Sequence, residues 1–418
     1  MTRSFLRRAA ALGLAACLLA GCVPASGTLS SSPAPASVPP AATPVPQDTP
    51  LAAMTLRQKV GQLFLVRPDA LEPALSQEEI DDADARGVTE VSDSMRDFLQ
   101  QYPVGGVVLF GKNIADAAQL QTLIGDLQAA SAVPLLIGVD EEGGAVARLA
   151  NAPEFDLPQY ESAAAEGTQG PEAVREMSVT IGTYLAGYGI CLDFAPVADV
   201  NTNLDNPIIG TRAFSSDPQA AADCVAAAVQ GFEQAGVLCC LKHFPGHGDT
   251  AQDSHDGAVG TAKTIEELRA CEFLPFAAGI QAGAPLVMVG HIQTPNAVTG
   301  EEAGLPATFS RTMITDVLRG ELGFTGAVVT DSLSMGAVTG TYTPGEAAVL
   351  ALQAGADLLL MPAGLAQAYD EVLAAVEDGR LSEERIAESV KRILALKQQA
   401  GLLEESLPTQ EDNTDAKG

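Results

Sequence analysis

Residues 237–243 read VLCCLKH: five apolar residues without interruption, then a lysine and a histidine. Seven other stretches repeat the pattern of a short, largely apolar run: LFLV (63–66), GVVLF (106–110), LLIGV (135–139), CLDFAPV (191–197), PLVMVG (285–290), GAVVT (326–330) and DLLLM (357–361). Continuous apolarity, in place of strict alternation, marks strands buried on both faces, as in a parallel sheet. Helix-length amphipathic segments separate the runs, and several carry start signals. Thr55 with Gln58 and Thr264 with Glu267 have capping-box spacing, and Thr343-Pro-Gly-Glu346 adds proline at the first helical position. Eight runs with helices between them predict a (β/α)8 TIM-type barrel within 51–402, and an open doubly wound sheet is the alternative.

Polar residues follow these runs directly: Lys112-Asn113, Asp140-Glu141-Glu142, Asp199 with Asn201, Lys242-His243, His291 and Asp331. In a barrel such positions converge on the C-terminal face, where barrel enzymes carry out their chemistry. One residue of this kind is weak evidence. Six groups in register form a constellation.

The flanks of this domain read differently. Residues 1–22 combine Arg3, Arg7 and Arg8 with an apolar stretch from Ala9 to Ala20, too short to span a bilayer comfortably and suited to a secretory signal. They end Leu19-Ala20-Gly21-Cys22, which resembles a bacterial lipobox in which Cys22 receives lipid. An ordinary cleaved signal with an incidental cysteine is the alternative. Residues 23–50, rich in Pro, Ala, Ser and Thr, read as an extended tether, and residues 403–418 as a disordered tail. The expected location is therefore extracytoplasmic, lipid-anchored to the cell membrane. A formal charge of −30 argues against nucleic acid and anionic membrane surfaces as partners. Of seven cysteines, the five beyond Cys22 are odd in number and form no CxxC pair, so they read as small buried hydrophobes.

Three of the four histidines fall within KHFPGHGDTAQDSH (242–255). His243 and His247 have the i, i+4 spacing of helical metal ligands, but Pro245, Gly246 and Gly248 break a helix there, and no HExxH pattern is present. The expectation is no metal and no organic cofactor. His247 reads equally well as a loop residue that only makes hydrogen bonds. In an extended segment Asp253 and His255 project to the same side, so the carboxylate can fix the imidazole tautomer and raise its basicity for proton transfer. Asp331 follows a buried strand, where a carboxylate can attack an electrophilic carbon or simply cap the next helix.

Together VDEEGGAVARL (139–149), NPIIGTRAF (206–214), KHFPGHGDTAQDSH (242–255) and VVTDSLSM (328–335) resemble the β-N-acetylglucosaminidases of glycoside hydrolase family 3 in order and spacing. The resemblance implies a (β/α)8 barrel and a retaining exo-β-N-acetylglucosaminidase acting on β-linked, peptidoglycan-derived or related glycans. It makes Asp331 the nucleophile of a covalent glycosyl-aspartate and His255, paired with Asp253, the general acid/base. Asp140, Arg148, Arg212, Lys242, His243 and, at a pocket-lining position, His291 match residues that grip sugar hydroxyls. Ala145 stands where relatives often carry a larger polar residue. The family's frequent second, C-terminal α/β domain is not expected after Leu402. Substrate-assisted catalysis usually needs an adjacent acidic pair, and Ser332 after Asp331 disfavours it. A β-glucosidase or glycoside phosphorylase of the same family, and a non-catalytic cell-wall sugar-binding lipoprotein, are the alternatives.

Overall fold

Eight short strands set the architecture, and each coincides with one of the apolar runs. The computed structural model describes residues 51–251 and 257–403, so the signal, the lipobox Cys22, the linker, most of the tail and the Asp253–His255 pair lie outside the described residues. The strands are β1 (Phe64–Val66), β2 (Gly106–Leu109), β3 (Leu136–Val139), β4 (Leu192–Asp193), β5 (Leu238–Phe244), β6 (Leu286–Val289), β7 (Ala327–Thr330) and β8 (Leu359–Leu360). Every residue in them is buried, as runs without alternation require. All pair in parallel, in the order β7-β6-β5-β4-β3-β2-β1-β8, and a parallel bridge between Val329 and Leu358 joins the two ends. The result is a (β/α)8 barrel, as the alternation of runs and helices predicts.

The helices form where their start signals stand. Capping boxes open the segments Leu56–Gln62, Ile265–Ala270 and Pro344–Ala354 at Thr55, Thr264 and Thr343. Asp217 caps Pro218–Ala235 by accepting from the Ala220 N–H, and Gly236 ends that helix in the left-handed conformation. Their apolar faces close on the barrel in one core cluster reaching from Met54 to Leu396.

Most strands are trimmed relative to their runs, and two departures bear on the site. CLDFAPV yields only a two-residue strand, whereas VLCCL continues as a strand through Lys242 and His243 to Phe244. The pairing of β5 with β6 shifts register between Leu241 and Phe244. Such an irregularity re-aims side chains next to a site, and here it accompanies two consecutive residues, Lys242 and His243, that both line one cavity.

At the opposite, N-terminal end of the barrel the polar groups are braces. Asp357, fully buried before β8, accepts from Arg319, Arg392 and Ser389. The five cysteines of the barrel are unpaired, as read from their number and context.

Candidate active site

The C-terminal ends of the strands surround a cavity of about 400 Å³, a size typical of small-ligand sites. Asp331 lines it from the end of β7, where its N–H donates to Val289 O (2.9 Å) and its Oδ1 accepts from the Ser332 N–H (2.7 Å). Asp140 and Glu142 reach it from beyond β3, Lys242 and His243 from β5, and Arg148 and Arg212 from the loops. Apolar walls come from Val108, Phe194, Met288 and Leu360.

A charge network fixes this floor. Lys242 Nζ lies 2.7 Å from Asp140 Oδ1 and 2.6 Å from Glu142 Oε1. Arg212 grips Glu142 with two bonds, Nε to Oε2 (2.8 Å) and Nη2 to Oε1 (2.7 Å), a bidentate geometry that locks both planes. Burial alone would raise the Glu142 carboxyl, but Lys242 and Arg212 outweigh it and hold the group at about 2. Burial likewise pulls the Lys242 ammonium down, and Asp140 and Glu142 more than reverse this, so the ammonium keeps its proton. Arg148 stands 3.7 Å from Asp140 and lies over the Phe110 ring. Buried charges held in this way stay put while a ligand enters, since their partners are already in place.

The histidines sit beside the network. His243 Nδ1 is 2.8 Å from Asp199 Oδ2, and the backbone N–H of His247 donates to Asp199 Oδ1 at 2.7 Å. His247 also lines the cavity, with Nδ1 2.6 Å from Thr250 Oγ1. Burial pushes the His247 imidazole down, which favours a neutral ring. The helical metal geometry is absent because residues 243–250 form a strand end and a turn. Among the described residues no group of three or more His, Cys, Asp or Glu side chains could hold a metal ion.

Of the residues expected from the sequence, Asp140, Arg148, Arg212, Lys242, His243 and Asp331 converge on one cavity. His291 is not among the residues that line it. Its ring is 1 % exposed, with Nδ1 2.8 Å from Thr308 Oγ1 and Nε2 2.8 Å from Ser332 O. Through Ser332 O it is tied to the turn after Asp331. Lys112 and Asn113 are also structural: the lysine donates to the carbonyls of Glu79, Ile80 and Asp82, and the asparagine to Asp69 and Val88.

Sequence reasoning passed over Arg67 and Asp81, which pair at 3.1 Å and line the cavity from the segment between β1 and β2. Arg67 is the first residue after LFLV, so the rule that found the other strand ends applies to it unchanged. Glu142 was visible as an acid after β3, but its role as the shared partner of Lys242 and Arg212 depends on three-dimensional proximity. The glycine-rich stretch Pro245–Thr250 is packed and pinned. Asn206 Nδ2 donates to His247 O (2.8 Å), Asn203 Nδ2 donates to Thr250 O (3.1 Å), and Pro245 to Gly248 are all buried.

The profile of the Glycosyl hydrolase family 3 N terminal domain matches residues 55–396. Beta-hexosaminidase A of Pseudoalteromonas piscicida is 35 % identical over 333 residues, covering 74 % of this chain; the chain spans 56 % of that relative's length. A beta-hexosaminidase of Xylella fastidiosa is 39 % identical over 277 residues, 65 % of this chain and 80 % of the relative. Among solved structures, a family 3 beta-N-acetylglucosaminidase from a Paenibacillus species superposes with a TM-score of 0.76 at 39 % identity, covering 87 % of this chain and 66 % of its own. The beta-N-acetylhexosaminidase of Beutenbergia cavernae gives 0.70 at 31 % identity, covering 82 % and 99 %.

Proposed function

The chain belongs to glycosyl hydrolase family 3, and on that premise we propose that it is a retaining exo-β-N-acetylglucosaminidase that removes terminal β-linked N-acetylglucosamine. The observation that carries the reading is the Asp331 carboxylate at a strand end, opening on a pre-organised cavity of charged donors and acceptors. The names of the relatives and structural neighbours support the substrate class.

In the first step Asp331 forms a bond to the anomeric carbon as the glycosidic C–O bond breaks. His255, oriented by Asp253, gives its proton to the departing oxygen. In the second step water attacks the same carbon, the Asp331–carbon bond breaks, and His255 takes the proton back. An imidazole in this role avoids setting a second carboxylate beside the nucleophile. Asp140, Arg148, Lys242 and His243 bind the sugar hydroxyls, and contacts that tighten toward the oxocarbenium-like state lower the barrier. Glu142 and Arg212 hold Lys242 in place for this work.

The natural substrate in this proposal is a peptidoglycan-derived glycan, met outside the cytoplasm by an enzyme tethered through lipid on Cys22. Supporting this are the signal-like residues 1–22 and the Pro/Ala/Ser-rich tether that follows. The test is hydrolysis of an aryl β-N-acetylglucosaminide by the wild type, Asp331→Ala and His255→Ala. Both variants are expected to lose at least 10²-fold in kcat/KM, the usual scale for a proton-transfer or nucleophilic group. An inactive wild type on a panel of hexosaminides and glucosides would sink the enzyme reading, and full activity of Asp331→Ala would sink the nucleophile.

A further inference from the structure

We infer that Asp199 is a positioning residue that fixes the tautomer of His243, so that the imidazole presents Nε2 to the cavity as a hydrogen-bond acceptor for a sugar hydroxyl. The sugar part of this inference rests on the function proposed above; the tautomer part does not.

The geometry around Asp199 is one-sided. The residue is 1 % exposed, and its side chain serves a single segment. Oδ2 meets His243 Nδ1 at 2.8 Å, while Oδ1 accepts from the backbone N–H of His243 (3.3 Å) and of His247 (2.7 Å). Burial would raise this carboxyl, but the His243 ring, then His247, outweigh it and keep the group below its ordinary value. An ionised carboxylate only accepts hydrogen bonds. The hydrogen in the 2.8 Å contact therefore belongs to His243 Nδ1, and in the neutral ring the lone pair sits on Nε2. With Nδ1 turned to the buried Asp199, the opposite edge of the ring is what His243 offers the cavity it lines.

This polarity complements the neighbouring residue. Lys242 carries three N–H donors and no acceptor. Two of them are committed to Asp140 and Glu142, which leaves one for a ligand. Lysine donor and histidine acceptor side by side suit two hydroxyls of a pyranose, one accepting and one donating. An isolated imidazole would populate both tautomers and blur that distinction. Asp199 removes the ambiguity with the same carboxylate that anchors the backbone of both histidines.

The isosteric change Asp199→Asn isolates the effect. The two backbone N–H groups hold the amide oxygen, which turns the NH2 toward His243 Nδ1. That nitrogen must then accept, and the hydrogen moves to Nε2. The experiment is 15N NMR of histidine-labelled protein, with the pH raised until the ring signals stop shifting, and with His243→Gln to assign the signal. Only four histidines contribute. The wild type is expected to show His243 with protonated Nδ1 and bare Nε2, and Asp199→Asn the reverse. Activity on the aryl β-N-acetylglucosaminide should fall roughly 10- to 100-fold in Asp199→Asn, the scale for removing a partner that orients a ligand-binding histidine. A wild-type His243 with its hydrogen on Nε2 overturns the inference, even should the variant not fold. So does an unchanged tautomer in Asp199→Asn, or an inverted one with undiminished kcat/KM in an active enzyme. Failure of the wild type to cleave any hexosaminide would instead strike the proposed function, because the tautomer is read from the protein without substrate.

Discussion

Lys397 is fully buried at the N-terminal end of the barrel, and its ammonium donates to Gln62 Oε1, whose amide in turn donates to Pro103 O. Among the described residues no carboxylate pairs with it. Burial, opposed by the nearby Cys191, pulls its pKa from 10.5 to about 7. In the unfolded chain the lysine keeps its proton to about 10.4. Between those limits the unfolded state binds the extra proton, so raising the pH favours the fold. Below about 7 the penalty is complete; above about 10.5 it is gone. The gap, at 1.36 kcal/mol per pH unit, is about 5 kcal/mol. Lys397→Met removes the charge but leaves Gln62 Oε1 without its donor, a cost of about 1–3 kcal/mol. The variant should therefore be the more stable protein at pH 6, by roughly 2–4 kcal/mol, and the less stable one near pH 10. With unfolding entropy near 2.1 cal/mol/K per residue, about 350 ordered residues shift Tm by roughly 1.4 °C per kcal/mol. Thermal unfolding of both proteins at steps between pH 6 and 10 should show their Tm difference falling by about 5–6 °C and changing sign above neutrality. A difference that stays constant across this range would refute the reasoning, since it would mean that Lys397 carries the same charge in both states.

Glu142→Gln should behave in the opposite manner. Its carboxyl, held at about 2 by Lys242 and Arg212 against burial, contributes stability that is complete above 4.5 and lost only as pH falls toward 2. The variant should lose about 3–5 kcal/mol, by an amount that denaturant unfolding finds unchanged from pH 5 to 8. Gly248→Ala tests whether the KHFPGHG segment is packed or loose: an added Cβ would stand 1.9 Å from Val200 O. Overpacking of that kind costs about 1–3 kcal/mol or more, so calorimetry should show a lower Tm, and a neutral substitution would mean that the segment moves freely.

The barrel was legible because burial on both faces writes itself into the chain as uninterrupted apolar runs, and helix starts write themselves as caps. Thr55, Thr264 and Thr343 are capped as their spacing requires. The site was legible to the extent that a strand end implies the barrel mouth. That inference found Asp140, Lys242, His243 and Asp331, and applied evenly it would have found Arg67. It fails where depth matters. His291 and Asp331 both follow strands, yet one is packed against Thr308 and Ser332 and the other opens on the cavity. Period and position do not distinguish them; only the packing of residues far away in the sequence does.

Neighbouring strands supply a stronger inference than strand ends taken singly. β4 and β5 pair directly, so a polar residue just past one must approach a polar residue at the end of the other. Asp199 and His243, 44 positions apart, meet for that reason. The same adjacency explains the glycines of this loop. Gly248 is needed because the Val200 carbonyl of the loop after β4 presses against it, and Gly246, at φ 129°, because a side chain there would strike Glu272 Cγ. Glycine permits unusual backbone angles and close approach equally well. In a loop wedged between two barrel loops, close approach is the reading that packing favours. The histidines of KHFPGHG are thus held in place by the very residues that, in isolation, suggest freedom.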